Sequence, residues 1–295
     1  MRDLPEVWTH RTAHREWYGA LEDTQDERAR AIDAVRAHRK AGLARALHVA
    51  WVLTRTDFRA RYRAQALGVA WSLVSPLVMM AVLSLVFTRV FHASTEHFPI
   101  FLLIGVLCWD WISNGITAAT HALVNNADVI KRTVFARQVL PMAAILSYGV
   151  NFAIASSMLL VFIPIFPDAF RLSPALLLLP VLLGLLVLLI VGIGFATSVL
   201  NVIYRDVAYL VNTGLLLLYW LTPVIYPLEV ISQPYRSVLA WNPMGGILLG
   251  IRGAIMDGSY PDLHAWAAMI LPTAAILGVG WLIFKRYERL VLDYV

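Results

Sequence analysis

N-N-A-D-V-I-K-R-T-V-F-A-R, residues 125–137, is a polar stretch caught between two apolar runs, 98–123 and 139–165. Each run is long enough to cross a bilayer, which takes about 20 residues at 1.5 Å of rise per residue. A loop carrying Lys131, Arg132 and Arg137 between two such runs belongs on the cytoplasmic side, the side to which basic loops are biased. Asp128 suits the start of a short helix, and Val129, Ile130, Val134 and Phe135 form an apolar stripe at helical spacing. The stretch reads either as a segment built to be gripped by a soluble partner or as a connector whose cations set topology.

Composition agrees with a membrane setting. Of 295 residues, 59% are hydrophobic and 15% charged, more apolar surface than a soluble domain of this length hides. The net charge of +5 fits cytoplasmic loops and anionic membrane lipids, and no basic run is interleaved with aromatics as nucleic-acid binding would want. A single cysteine, Cys108, excludes an intrachain disulfide and a thiolate zinc site.

Outward from the loop, the apolar runs divide the chain into six expected spans: 67–90, 98–123, 139–165, 175–200, 207–224 and 265–284. The fold class is an all-α membrane protein. Residues 1–47 read as a charged cytoplasmic arm, 48–65 as an amphipathic helix lying in the headgroup layer, and 66–285 as the membrane domain. Within that domain, 124–138 is the basic loop, and 225–262, rich in Pro and Gly, holds short re-entrant outer helices between spans five and six; 286–295 is a cytoplasmic tail. With both termini inside, Arg55, Arg59, Arg61, Arg63, Lys131, Arg132, Arg137, Arg205, Lys285, Arg286 and Arg289 are cytoplasmic. Only Arg89, Arg171, Arg236 and Arg252 then fall outside, which satisfies the charge bias. Arg205 and Asp206 mark a tight cytoplasmic turn.

Chemistry of its own has little to stand on. The three lysines, Lys40, Lys131 and Lys285, do not follow glycine, so no G-x-x-x-x-G-K-[ST] phosphate loop exists. No G-x-S-x-G or H-E-x-x-H occurs, and His92, Glu96 and His97 sit in one short outer loop without a second cluster, so no metal site is expected. Asp110 is essentially the one central carboxylate in the spans, a poor supply for ion coupling. It lies between Trp109 and Trp111, with Ser113, Asn114 and Thr117 following. Aromatic faces beside neutral polar groups suit a sugar chain that slides without a deep well, while plain helix packing accounts for either tryptophan alone. Tyr219, Trp220, Tyr226, Tyr235 and Trp241 gather near the outer face, as a pore mouth or an interfacial aromatic belt.

Five blocks together resemble one family: R-A-R-Y-R-A-Q-A-L-G-V-A-W-S-L-V-S-P-L (59–77), L-V-N-N-A-D-V-I-K-R-T-V-F-A-R-Q-V-L-P (123–141), L-N-V-I-Y-R-D-V (200–207), T-P-V-I-Y-P (222–227) and W-N-P-M (241–244). The chain is similar to the polysaccharide-exporting permeases of the ABC-2 type. The resemblance implies a six-span subunit that forms a homodimer around a conduit and works with two copies of a cytoplasmic ATPase, which bind the ATP and Mg²⁺; this chain holds no cofactor. It implies that Asn125, Asp128, Lys131, Arg132, Phe135 and Arg137 lie in a coupling helix seated in that ATPase. The conduit residues would be Trp109, Asp110, Trp111, Asn114, Tyr219, Trp220 and Tyr226. The cargo implied is a lipid-pyrophosphate-linked polysaccharide moved across the inner membrane, with Arg59, Arg61 and Arg63 at the side access as pyrophosphate ligands or as positive anchors.

Twenty-one of the 24 basic residues are arginine, a bias of GC-rich genomes that leans the cargo towards an actinobacterial cell-wall galactan over an O-antigen. The competing readings are an ABC-2 subunit for a small lipid or drug, with a narrower and less aromatic conduit, and a membrane glycosyltransferase, which needs a carboxylate-rich cytoplasmic site.

Overall fold

The computed structural model describes residues 42–62, 68–89, 97–132, 136–233, 239 and 241–294. Arg63, Phe135, Val134, Tyr235, His92, Glu96 and the charged arm before residue 42 lie outside the described residues.

Among the described residues ten α-helices follow in order: α1 Gly42–Tyr62, α2 Trp71–Arg89, α3 Phe98–Asn125, α4 Ala127–Arg132, α5 Val139–Phe162, α6 Leu179–Ile203, α7 Val207–Leu221, α8 Pro243–Arg252, α9 Leu263–Tyr287 and α10 Val291–Tyr294. Among the described residues there is no strand. The chain is an all-α, multi-pass membrane protein: α2, α3, α5, α6 and α9 are long and apolar enough to span a bilayer. The fifth expected span differs. α7 has 15 residues, about 22 Å of helix, because Thr222 and Pro223 end it early. The interfacial helix also begins earlier than 48, at Gly42.

α3 is the hub. Two thirds of its apolar window is buried, against 17% for α2, and it packs on α5 and α6. Its buried apolar residues run from Ile100, Leu103 and Leu107 near its start to Ile112, Ile116 and Leu123 farther along. α9 lies against α6 at backbone contact: a Cβ on Gly192 would come 2.7 Å from the Leu277 Cα, and one on Gly280 would collide with the Gly192 carbonyl. Small residues let helices approach this way in lipid, where packing is the main attraction.

Side-chain bonds fix which ends of the helices share a level. Asn201 near the end of α6 donates to the Thr120 carbonyl (3.1 Å) near the end of α3. Gln138 and Arg137, just before α5, bond Lys285 and Glu288 at the end of α9. Arg252, at the end of α8, bonds Phe101 in the first turn of α3 and Pro223 just beyond α7. The linker from α7 through Thr222 therefore carries the chain from the level of the basic loop to that of the start of α3.

Candidate functional site

The incompletely buried side of α3 is a stripe: Val106, Trp109, Asp110, Ser113, Asn114, Thr117, His121 and Asn125. Spacings of three and four put these on one helix face, and from Asp110 to Asn125 the stripe runs about 22 Å. Its polar groups are bound to one another and to α7. Asn114 Nδ2 donates to the Asp110 carboxylate (2.7 Å) and carbonyl (3.0 Å), and Thr117 donates to Asn212 Oδ1 (3.4 Å). Trp109 meets Tyr219 edge-on at 5.4 Å, and Tyr219 meets Trp220 the same way at 5.5 Å. Trp220 is exposed, and its carbonyl accepts from the Tyr226 hydroxyl (2.7 Å).

Trp111 does not join this group. It is buried on the far side of α3, stacked on Phe152 at 4.7 Å, beside Gly149, with Nε1 donating to the Ile145 carbonyl (3.3 Å). Two residues along a helix turn about 200°, so one tryptophan faces the stripe and the other the core. The place of Trp111 is helix packing.

Towards the basic loop the stripe opens into a cavity of about 340 Å³ between α1, α3 and α5. Arg61, Asn114, Thr117, His121, Asn125 and Tyr148 line it. α1 is held there by Thr54 bonding the Ala143 carbonyl (3.2 Å) and by Tyr62 bonding Asn151. The Arg61 guanidinium lies 3.6 Å over the Tyr148 ring and donates to Ser147 Oγ (3.2 Å); its buried Nη1 has no partner among the described residues. Burial pushes the Tyr62 phenol above its usual range, against the opposing charge of Arg61 and with Asp110 adding to the rise. Arg59 is exposed and does not line the cavity.

The basic loop folds as expected at its start. Asp128 stands in the first turn of α4, and Asp128, Lys131 and Asn125 are exposed, while Arg132 ends the helix. Ile130 points the other way and is buried in the core, so at this position the apolar stripe serves the membrane domain rather than an outside partner. Arg137 is also turned inward, donating to the Glu288 carbonyl. Arg205 and Asp206 are exposed in a turn, but Asp206 makes no side-chain cap. Asn201 does the fixing: its Oδ1 accepts from Ala208 N (3.2 Å) while its amide bonds the Thr120 carbonyl. An Asn inside an apolar run was the available signal for it.

Beyond α7 a buried cation ties the chain together. Arg252, placed outside by the charge count, is 3% exposed. It donates to the carbonyls of Phe101 (2.9 and 3.1 Å), Pro223 (2.5 Å) and Val224 (2.6 Å), with its guanidinium 3.4 Å over the Phe101 ring. Gly105 provides the room, since a Cβ there would strike the guanidinium. Asn242 accepts from Met244 N (3.1 Å), which caps α8, and donates to Thr222 Oγ1 (3.0 Å). The T-P-V-I-Y-P and W-N-P-M blocks are thus two halves of one joint. Arginine satisfies it because the unpaired carbonyls beyond a broken helix need a forked donor.

A helical bundle whose hub carries one polar face, with a short exposed helix on its basic side, is the architecture of a membrane transport subunit. The chain belongs to the ABC-2 type transporter family, whose profile matches residues 48–256. Among its relatives is an O-antigen export system permease protein, RfbA, of Klebsiella pneumoniae, 27% identical over 241 residues, covering 80% of this chain and 91% of the relative. The RfbA of Myxococcus xanthus is 28% identical over 237 residues (79% and 90%). The polysialic acid transport protein KpsM of Escherichia coli is 24% identical over 245 residues (80% and 92%).

Proposed function

We propose that this chain is the membrane subunit of an ATP-powered exporter that moves a lipid-pyrophosphate-linked polysaccharide out across the cytoplasmic membrane. The observation that carries the reading is the unbroken polar line on α3 from Asp110 to Asn125, flanked by Trp109, Tyr219 and Trp220, in a family whose relatives are named for O-antigen and polysialic acid export. Hydroxyl-rich cargo exchanges hydrogen bonds along such a line, and ring faces accept its C–H surfaces. Between Trp109 and Thr117 the line meets α7, which is largely exposed among the described residues, and a second copy completes the conduit as a homodimer. Six crossings, counting α7 with its Thr222–Pro227 continuation, leave both termini cytoplasmic. Support comes from the bonds that bring the start of α5 and the end of α9 to one level.

Arg61, with its unpartnered Nη1 in the cavity, is the best-placed of the three interfacial arginines to meet the pyrophosphate. The galactan assignment rests on arginine usage alone. Two copies of a separate ATPase supply ATP and Mg²⁺ and dock on α4, where Asp128 and Lys131 are exposed, with Arg132 at its end. The decisive experiment reconstitutes the chain in vesicles with and without its ATPase and follows lipid-linked glycan into the lumen. Movement requires both proteins, and Lys131→Glu with Arg132→Glu abolishes it while the chain still inserts. Uphill movement by the chain alone, or unchanged movement in the double variant, would sink the reading.

A further inference from the structure

The exit of the basic loop and the end of α9 are fastened at two adjacent points. Arg137 donates to the Glu288 carbonyl at the α9 C-cap, where unpaired carbonyls concentrate partial negative charge. One residue on, Gln138 Oε1 accepts from Lys285 Nζ (3.3 Å), and the same ammonium pairs with Glu288 (2.9 Å) and lies 4.9 Å from the Trp281 ring centre. Just beyond, Val291 in α10 is fully buried, and α10 rests on α6. α6 in turn is in backbone contact with α9 at Gly192 and Gly280. Consecutive loop residues thus grip one turn of a helix that is itself wedged against another.

This arrangement separates the cations of the loop into two kinds. Lys131 on α4 faces outward, whereas Arg137 is spent on the chain's own backbone. We propose that Arg137 and Lys285 are positioning residues that latch the loop to α9, so that the loop, α9 and α6 shift as one body when a partner pushes on α4. The proposal rests on the reading of α4 as an ATPase docking site. Partner contact falls to Asp128 and Lys131, and Arg137 acts behind them.

Two measurements test it. In the purified chain alone, Arg137→Ala raises amide exchange across residues 284–294 by about tenfold, the scale of one charge-assisted hydrogen bond, while α3 and α5 are unchanged. Arg137→Lys keeps one donor for the single carbonyl and stays within about twofold of the unsubstituted chain. In vesicles with the ATPase, Arg137→Ala retains the partner yet hydrolyses several times more ATP per glycan moved. Lys285→Met, at a side chain 43% exposed and so tolerant of change, does the same more weakly. Unaltered exchange at 284–294 overturns the latch whatever the partner does, and so does loss of the partner in Arg137→Ala as complete as in the Lys131/Arg132 double reversal. Should Arg137→Ala not insert, Lys285→Met decides, with unaltered exchange again overturning the latch. If the unsubstituted complex hydrolyses ATP without moving glycan, the exporter reading fails and the exchange measurement still judges the latch.

Discussion

The two ends of the bundle use arginine for the same task in opposite surroundings. At the end that holds the start of α3, Arg252 is fully enclosed and spreads its donors over the carbonyls of Phe101, Pro223 and Val224. At the end that holds the basic loop, Arg137 is only partly buried and serves one carbonyl, beside an ion pair whose lysine is 43% exposed. Each ties off a helix terminus whose carbonyls lack helical partners. The difference lies in the medium: removing a donor costs far more where water cannot replace it. The Arg252 joint is built to stay, and the Arg137 one sits where bonds can be exchanged.

The sharpest way to break that contrast is Arg252→Met, which takes the side-chain donor from the Pro223 and Val224 carbonyls and leaves Phe101 with its helical bond only. It should cost about 3–5 kcal/mol, seen as a fall in thermal unfolding temperature in detergent. Gly105→Ala attacks the same joint from the other side by pushing the guanidinium out of its recess, and should cost about 1–3 kcal/mol in the same assay. Arg137→Ala should cost about 1 kcal/mol, since water takes over its carbonyl; a loss equal to that of Arg252→Met would erase the distinction between the ends. Smallest is the effect at Tyr62. Its phenol is raised by burial, so the folded state keeps a proton that the unfolded state releases. The stability it contributes is complete below the ordinary tyrosine range, near pH 10, and is lost as pH rises through the folded value. Tyr62→Phe should therefore flatten the alkaline end of the unfolding curve.

Much of this was legible in the sequence. Apolar runs located five helices long enough to span, and the basic loop between two of them marked α4 with its exposed Asp128 and Lys131. What could not be read was direction. Trp109 and Trp111 differ by two positions, and the sequence says that they face apart but not which one meets α7. That Arg252 is buried on carbonyls could not be read, because a charge tally sees residue types and not the carbonyls that a break at Thr222–Pro223 leaves bare. Arg137 was grouped with Lys131 and Arg132 for the same reason: its partner is a backbone oxygen 151 positions away. Ile130, one place from Lys131, belongs to the interior because a single helical turn has two sides.

α3 is packed on α5 and α6 along one side and lined with polar groups along the other. α7 across from it buries a single residue, Leu215. The first behaves as a fixed rail, since rolling it would drag Asp110 and Asn114 into oil and Ile112 and Ile116 into the wet seam. On the exporter reading proposed above, a change of bore comes from the loosely hung pane opposite, and its travel ends where Arg252 bolts the frame.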